Sequence, residues 1–384
     1  MSKPELLTTE TADRLIKFPT WLQQKQLLAQ ERLSHASMPQ RAFELWRYAD
    51  VKRLSTLDKQ LAEKASKASV VSSEKKSCTV VLTEQGHEII GELPLGVEIR
   101  HISLLPEALF TDMPETQDRV LNLVNLAYLR NGLWIHIDSK QAVDLTIRYS
   151  QNVPHFMHMR HFIQLNKSSV LNLTEEFEEN CRINLVTDVI LGKKSHLKKT
   201  RQCQIGATAA VVSYTQSTLR KNTLMECMNH HSDGVFQHHI HDVSLCKRGA
   251  EFRSGSINRG RTDTNLSDVV IVDHEVGNCR CEVVHRSLAD GKSQIFNNAK
   301  AIVRAGADGS EVSQDLKNIL LSNDARISSK PELEVSADEV VAAHGSTIGA
   351  LDEKSLFYLQ SRGIASDDAR QILMESFVEE AKIC

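Results

Sequence analysis

The run RINLVTDVIL, Arg182–Leu191, decides the fold: β-branched and leucine residues cluster between turn residues, which reads as a strand. LWIHI (133–137), AVDLTIRY (142–149), AAVVSYT (209–215), SDVVIVDHEV (267–276) and AKAIVRA (299–305) are of the same kind, separated by Gly, Asn, Asp and Ser. From about Gly132 the chain is therefore a long series of short strands. Prolines are few in it, and the two-residue Asn-Gly turns of tight hairpins are missing. Such a series suits a stacked, solenoid-like parallel helix better than a meander of hairpins, although no crisp repeat period shows.

Outward from that core the periodicity is helical. WLQQKQLLAQERLSHAS (21–37) carries Trp21, Leu22, Leu27, Leu28 and Leu33 at helical spacing, with Thr20 placed to cap. LAEKASKASVVSSEKKS (61–77) is rich in Lys, Ser and Ala and reads as a linker. After Val335, Asp352 can cap a helix that Gly363 ends, and Ser366 can cap a second helix carrying Ala369, Ile372, Leu373, Phe377 and Val378. The expected organisation is an N-terminal helical domain at 1–75, a mixed α/β connection at 76–131, the β core at 132–336 and a helical domain at 337–384. The apolar faces of the last two helices, Leu356, Phe357 and Leu359 with Leu373 and Phe377, can pack on each other, on the β core or on a partner.

Composition excludes several classes. With 384 residues, 41% of them hydrophobic, the chain can bury a large core, and a net charge of -3 with scattered signs supplies no overall field for nucleic acid or anionic lipid. The N-terminus lacks the apolar stretch of a signal peptide, and no apolar run approaches a membrane span, so a soluble, cytoplasmic protein is expected. Eight cysteines without a CxxC pair point to reduced thiols. Nucleotide-binding glycine loops, the GxSxG elbow and HExxH do not occur.

Three residue groups invite chemistry. Histidines cluster in HFMHMRH (His155, His158, His161) and in HHSDGVFQHHIHD (His230, His231, His238, His239, His241). On a helix His155 and His158 would share a face, and on a strand His239 and His241 would, but spacing fixes no third metal ligand. Cys279 and Cys281 in GNCRCEVVH would face one side of a strand, with His285 four residues on, where a soft metal or an iron–sulfur contact competes with two buried thiols. Asp273 and Glu275 would share a strand face, the arrangement a β-helix lyase or hydrolase needs, but only 5% of the residues are aromatic, which weakens a sugar-binding reading.

The segment Asn318–Ile364, NILLSNDARISSKPELEVSADEVVAAHGSTIGALDEKSLFYLQSRGI, resembles the C-terminal signature of the SufB/SufD family of iron–sulfur cluster assembly proteins. The likeness rests on Lys330, Pro331, Leu333 and Glu334, on His344, Gly345, Thr347 and Gly349, and on Asp352 with Phe357, Tyr358, Leu359, Ser361, Arg362 and Gly363. PQRAFELWRY (Pro39, Arg41, Glu44, Trp46, Arg47, Tyr48) and NLAYLRNGLWIHI are similar to elements of the SufD branch. Where the family pattern has a cysteine two residues before the histidine, this chain has Ala342.

The resemblance implies a right-handed parallel β-helix between two helical domains and a non-catalytic scaffold subunit, with ATP hydrolysis in a partner. It implies a hetero-complex with SufB-like and SufC-like proteins, or a homodimer when alone. His344 would be the iron or cluster ligand at the SufB interface. Leu356, Phe357, Leu359, Leu373 and Phe377 would dock SufC, and iron or a cluster would be held only transiently in the complex. A β-helix polysaccharide lyase or hydrolase using Asp273 and Glu275, and a metal-binding protein using the His-rich stretch, are the competing readings.

Overall fold

The computed structural model describes residues 18–37, 39–56, 78–110, 119–150 and 155–383. Its centre is a parallel β-solenoid of two facing sheets. Strands are β1 (Cys78–Thr83), β2 (Gly86–Ile90), β3 (Val97–His101), β4 (Leu133–Ile137), β5 (Ala142–Tyr149), β6 (Met157–Leu165), β7 (Val170–Phe177), β8 (Arg182–Leu191), β9 (His196–Ile205) and β10 (Ala210–Leu219). They continue as β11 (Leu224–Asp233), β12 (Phe236–Leu245), β13 (Glu251–Gly260), β14 (Asn265–His274), β15 (Arg280–Ala289), β16 (Gln294–Val303), β17 (Ser310–Leu320), β18 (Arg326–Val335) and β19 (Val340–Gly349). One sheet runs β19-β17-β15-β13-β11-β9-β7-β5-β1-β2 and the other β18-β16-β14-β12-β10-β8-β6-β4-β3. From β4 on, each strand pairs in parallel with the strand two further on, the topology of a coil; β1 pairs in parallel with β5, while β2 and β3 close the other end by antiparallel pairing with β1 and β4.

Alternation along each strand sends one set of side chains inward. Leu145, Leu173, Leu197, Met225, Phe252, Cys281 and Val312 stack inside with Met157, Ile163, Ile183, Val189, Val243, Val272 and Ala301 as one apolar core. Corners hold the coils in register. Ser168, Lys194, Asn222, Gly249, Asn278 and Gly309 all have positive φ at the same turn of six successive coils, and each donates its N–H to a carbonyl of the next coil. Only Gly249 and Gly309 of these are glycines, so the repeat is carried by backbone conformation rather than by residue type.

Helices lie outside this core. Helix α1 (Thr20–His35) packs beside α3 (Val120–Ala127), tied by Gln26 Nε2 to the Leu129 carbonyl at 2.9 Å. The segment 39–56, which includes α2 (Val51–Thr56), is a strap across the second sheet: Trp46 stacks on His238 at 4.0 Å and Tyr48 lies 4.7 Å from Phe296. Lys330 Nζ reaches Glu44 at 3.1 Å, and the Asp50 amide donates to Asn265 at 3.0 Å. The tryptophan motif is thereby explained as a clamp on the outer sheet face.

Helix α4 (Glu353–Ser361) starts on Asp352, whose carboxylate accepts from the amides of Lys354 and Ser355, and Gly363 at φ +87 follows its end. Helix α5 (Ser366–Glu379) returns to the solenoid, where Val378 and Ala381 pack with Ile257 and Leu288. Glu380 bonds Lys317 at 3.0 Å, and Arg259 bonds Glu375 at 2.9 Å. Among the described residues no helix is long and apolar enough to cross a membrane.

Several expectations need correction. The β core does not stop at 336: β19 pairs with β17 through Gly349, so the C-terminal helices begin at Glu353. His344 consequently lies inside a strand, where Ala, Ser and Thr residues take up the pairing that β17 offers. Thr20 and Ser366 are the first helical residues, and Pro19 and Ala365 occupy the capping positions without a side-chain bond. His155 and His158 are not on a helix; His155 precedes β6 and His158 is within it. The linker-like run 61–77 lies outside the described residues.

Candidate functional site at the open end of the solenoid

Among the described residues the last coil has no successor. β18 and β19 each form the edge of their sheet, and nearly every residue of β19 is exposed, Val341 at 72% and Ile348 at 48%. An edge strand of this kind presents unpaired N–H and C=O groups along its full length. In register, His344 follows Gln314, Val283, Ser254, Cys227 and Lys199 of the preceding coils. Ser346, of the same parity, reaches across to Ser329 Oγ of β18 at 2.9 Å. The pleat therefore turns His344 toward the interior, at the mouth that the missing next coil leaves open. Ala342 occupies the inward position before it, so among the described residues the edge strand brings one imidazole and no thiolate to that mouth.

Behind the mouth the interior is polar, which the sequence reading missed. Asn318 Nδ2 donates to the Thr347 carbonyl at 2.9 Å, Asn297 donates to Asn318 at 2.8 Å, and Asn258 donates to Asn297 at 2.9 Å. Asn258 meets His231 at 3.1 Å, and His231 stacks on His239 at 3.9 Å. His239 bonds Ser213 at 2.8 Å, Arg201 Nη1 donates to Ser213 at 2.8 Å, and Arg201 Nε donates to Glu175 at 2.8 Å. Glu175 accepts from Tyr149 at 3.1 Å, and Tyr149 meets His161 at 3.1 Å. A chain of polar contacts thus runs through the solenoid from β6 to the edge strand.

Its charged centre is Glu175, held by Arg201 and by Lys199 Nζ at 3.0 Å, all buried. Burial pushes the Glu175 carboxyl up, but the two cations outweigh it and hold it well below the ordinary carboxylate range. Next to this group lies a cavity of about 20 Å³ lined by Lys199, Arg201, Cys227, His231, His239 and Asp268. Lys199 and Arg201 were legible only as surface cations in a polar strand; their alternation with the buried Cys203 is the signal that they point inward.

The structure distributes the other candidates. His239 and His241 do share the inward face, but His239 spends both ring nitrogens on Ser213 and Gln237, and His241 bonds Ser217 at 2.9 Å. His238 points outward under Trp46. Burial pulls His231 and His161 down to about 4 and His238 and His241 down to about 3, so these rings are neutral. Among the described residues no group of three His, Cys, Asp or Glu could hold a metal ion. Cys281 faces inward with its sulfur 3.2 Å from His274 Nε2, and burial pushes its thiol up to about 12; burial also raises that of Cys279. Both are buried thiols. His285 lies against Asp268, 3.7 Å away. Asp273 is clamped by Arg304, with two guanidinium nitrogens on its carboxylate.

The proposed docking residues separate. Phe357 is 72% exposed and its neighbour Tyr358 57%, whereas Phe377 is half-buried in the α5 contact with Arg286 6.0 Å over its ring. Leu356, Leu359 and Leu373 are half-buried.

By fold and site this is a β-solenoid protein with a hydrogen-bonded polar interior and an open last coil. The family model described as SUF system FeS cluster assembly, SufBD core domain, matches residues 147–377, most of the chain, and the protein belongs to that family. The chain is similar to an iron–sulfur cluster assembly SufBD family protein of Synechocystis, slr0076, at 26% identity over 51% of this chain and 44% of the relative. It is also similar to the iron–sulfur cluster assembly protein SufD of Escherichia coli K12, at 32% over 28% of this chain and 26% of the relative. Against the chloroplastic protein ABCI7 of Arabidopsis thaliana the identity is 27% over 66% of this chain and 54% of the relative. The matched segments thus span about half or less of these relatives' own lengths. This family membership agrees with the resemblance read in residues 318–364.

Proposed function

We propose that the chain is a non-catalytic, cytoplasmic subunit of an iron–sulfur cluster assembly complex that pairs its open solenoid end with a SufB-like chain and offers α4 to a SufC-like ATPase. The observation that supports this reading is the position of His344, inward-facing yet exposed, on an edge strand with a free ladder. A second chain adding its strands to β18 and β19 would cover the mouth and place its own ligands beside that imidazole. Iron and sulfide would be cargo at this junction. A neutral imidazole nitrogen suits iron, and with Ala342 in the neighbouring inward position the thiolate donors come from the partner. When no partner is present, the same edge can pair two copies of this chain.

Docking of the ATPase is assigned to the exposed Phe357 and Tyr358, since α5 is already engaged with the solenoid. The test is co-expression with the SufB-like and SufC-like proteins of the same source, affinity purification and the mass of the eluted complex. A stable hetero-complex is expected, and His344→Ala should keep that mass while losing iron and sulfide after reconstitution. A chain that elutes alone, or a His344→Ala complex that loads normally, would overturn the reading.

A further inference from the structure

One corner of the solenoid carries a column of cations. The residue preceding each positive-φ position is Lys167, Lys193, Lys221 and Arg248 in four consecutive coils, and then Gly277 and Asp308. Lys194, Arg220 and Lys247 flank the column on the same turns, and all seven side chains are exposed. Backbone bonds stack the turns rigidly: the Ser168 amide donates to the Lys193 carbonyl, that of Lys194 to Lys221 and that of Asn222 to Arg248, at 3.0, 3.0 and 3.2 Å. Adjacent coils lie about 4.8 Å apart, so like charges repeat at that spacing. Among the described residues none of the seven forms an ion pair, although exposed arginines elsewhere, such as Arg261, Arg280 and Arg304, are each bonded to a carboxylate.

The concentration is uncharacteristic of a chain whose net charge is -3. Like charges stacked in register repel one another, and among the described residues none of the seven is paired with a carboxylate, although Glu275 and Asp308 lie further along the same corner. We propose that this corner is a docking ridge for an acidic polypeptide segment, one whose Asp and Glu side chains meet the stacked lysines and arginines along the solenoid axis. The ridge is built from Lys, Arg, Asn, Ser, Thr and Gly with one partly buried cysteine, Cys246; it has no aromatic side chain on which a nucleic-acid base would stack and no large apolar side chain to enter a lipid surface. Protein carboxylates are the anions that an edge of stacked, unpaired lysines and arginines fits. The ridge lies on the corner that joins the second sheet to the first along coils β6 to β13, away from the edge strand and α4, so it is free while the interfaces proposed above are occupied.

The experiment titrates a fluorescent Glu-rich synthetic peptide against the full-length chain, and against Lys167→Glu/Lys193→Glu/Lys221→Glu/Arg248→Glu, in parallel with a single-stranded oligonucleotide of equal charge and with anionic lipid vesicles. Saturable binding that weakens with salt, and that falls by roughly tenfold or more in the reversed variant because several exposed charge contacts change sign together, is expected. A second variant, Lys193→Gln/Lys221→Gln/Arg248→Gln, keeps the turns and should show a smaller loss, which guards against a folding defect in the first. Equal peptide binding by wild type and both variants, or tighter binding of the oligonucleotide or the vesicles than of the peptide, would overturn the proposal. Formation of the hetero-complex is scored separately and should be the same for all three chains.

Discussion

Glu175→Gln is the substitution that most directly tests the polar interior. The carboxylate neutralises two buried cations at 2.8 and 3.0 Å and accepts the Tyr149 hydroxyl at 3.1 Å. Glutamine preserves volume and one acceptor but leaves Lys199 and Arg201 inside the solenoid without their anion. Removing one partner of a buried ion pair costs about 3–5 kcal/mol. The adjoining cavity of about 20 Å³ has room for a water that can solvate the Lys199 ammonium, which places the expected loss near the lower figure, about 3 kcal/mol. Urea unfolding followed by far-ultraviolet circular dichroism reads this as a lower midpoint at unchanged slope.

Adding Lys199→Met removes one of the orphaned cations, so the double variant should recover at least about 1 kcal/mol relative to the sum of the two single losses. The acid limb supplies a further check. Because the folded carboxyl sits below its ordinary value of 4.5, the unfolded chain takes up the proton first as pH falls. The stabilisation is complete above the unfolded value and is lost as pH drops toward the folded one, and Glu175→Gln should flatten that slope. A single-variant loss under about 1 kcal/mol, or strict additivity in the double variant, would refute the argument that the triad is a mutually compensated buried group.

Other substitutions separate structural from interfacial roles. Phe357→Asp should leave stability within about 0.5 kcal/mol, because the ring is solvent-exposed, while Phe377→Asp should cost about 1–3 kcal/mol by breaking the α5 contact; thermal melts of both variants decide it. Gly255→Ala would bring a Cβ within 2.2 Å of the Ala381 carbonyl oxygen, so hydrogen exchange across 366–383 should accelerate while the solenoid strands stay protected. Trp46→Ala, which deletes the clamp on His238 and the second sheet, should cost about 3–5 kcal/mol in chemical denaturation and expose the strap to protease. His344→Ala should be stability-neutral to within about 0.5 kcal/mol in the same assay.

Strand identity was legible in the sequence because RINLVTDVIL and its counterparts fill the inward positions with aliphatic residues. The repeat was not. The turn geometry that sets it needs a left-handed backbone at one position per coil, and Ser168, Lys194, Asn222 and Asn278 adopt it as well as Gly249 and Gly309 do, so no single residue type recurs. Asp352 and Gly363 announced α4 because a carboxylate cap and a left-handed glycine act locally. The end of the β core was misplaced because VVAAHGST has weak strand propensity by itself, and only the ladder offered by β17 makes it a strand. The inward lysine and arginine were hidden for a related reason: charge in a strand is normally read as solvent-facing, and their compensating anion, Glu175, comes from a different coil.

The polar interior also explains how an exposed edge strand stays in register. β19 buries almost nothing, so apolar packing cannot fix it, and a one-residue slip would turn His344 outward. Ladder bonds to β17 alone tolerate such slips. The side-chain contacts do not, because Asn318 reaches the Thr347 carbonyl and Ser346 reaches Ser329, and a slip would leave the Asn318 amide buried without its acceptor. An unsatisfied buried donor costs about 1–3 kcal/mol, which is the scale on which register is enforced here. The asparagine row Asn258, Asn297 and Asn318 passes that constraint from coil to coil. Replacing Asn318 with leucine should therefore leave the preceding coils intact and loosen β19 alone, seen as faster hydrogen exchange at 340–349 and weaker hetero-complex formation. Unchanged protection of β19 would show that its backbone ladder is sufficient.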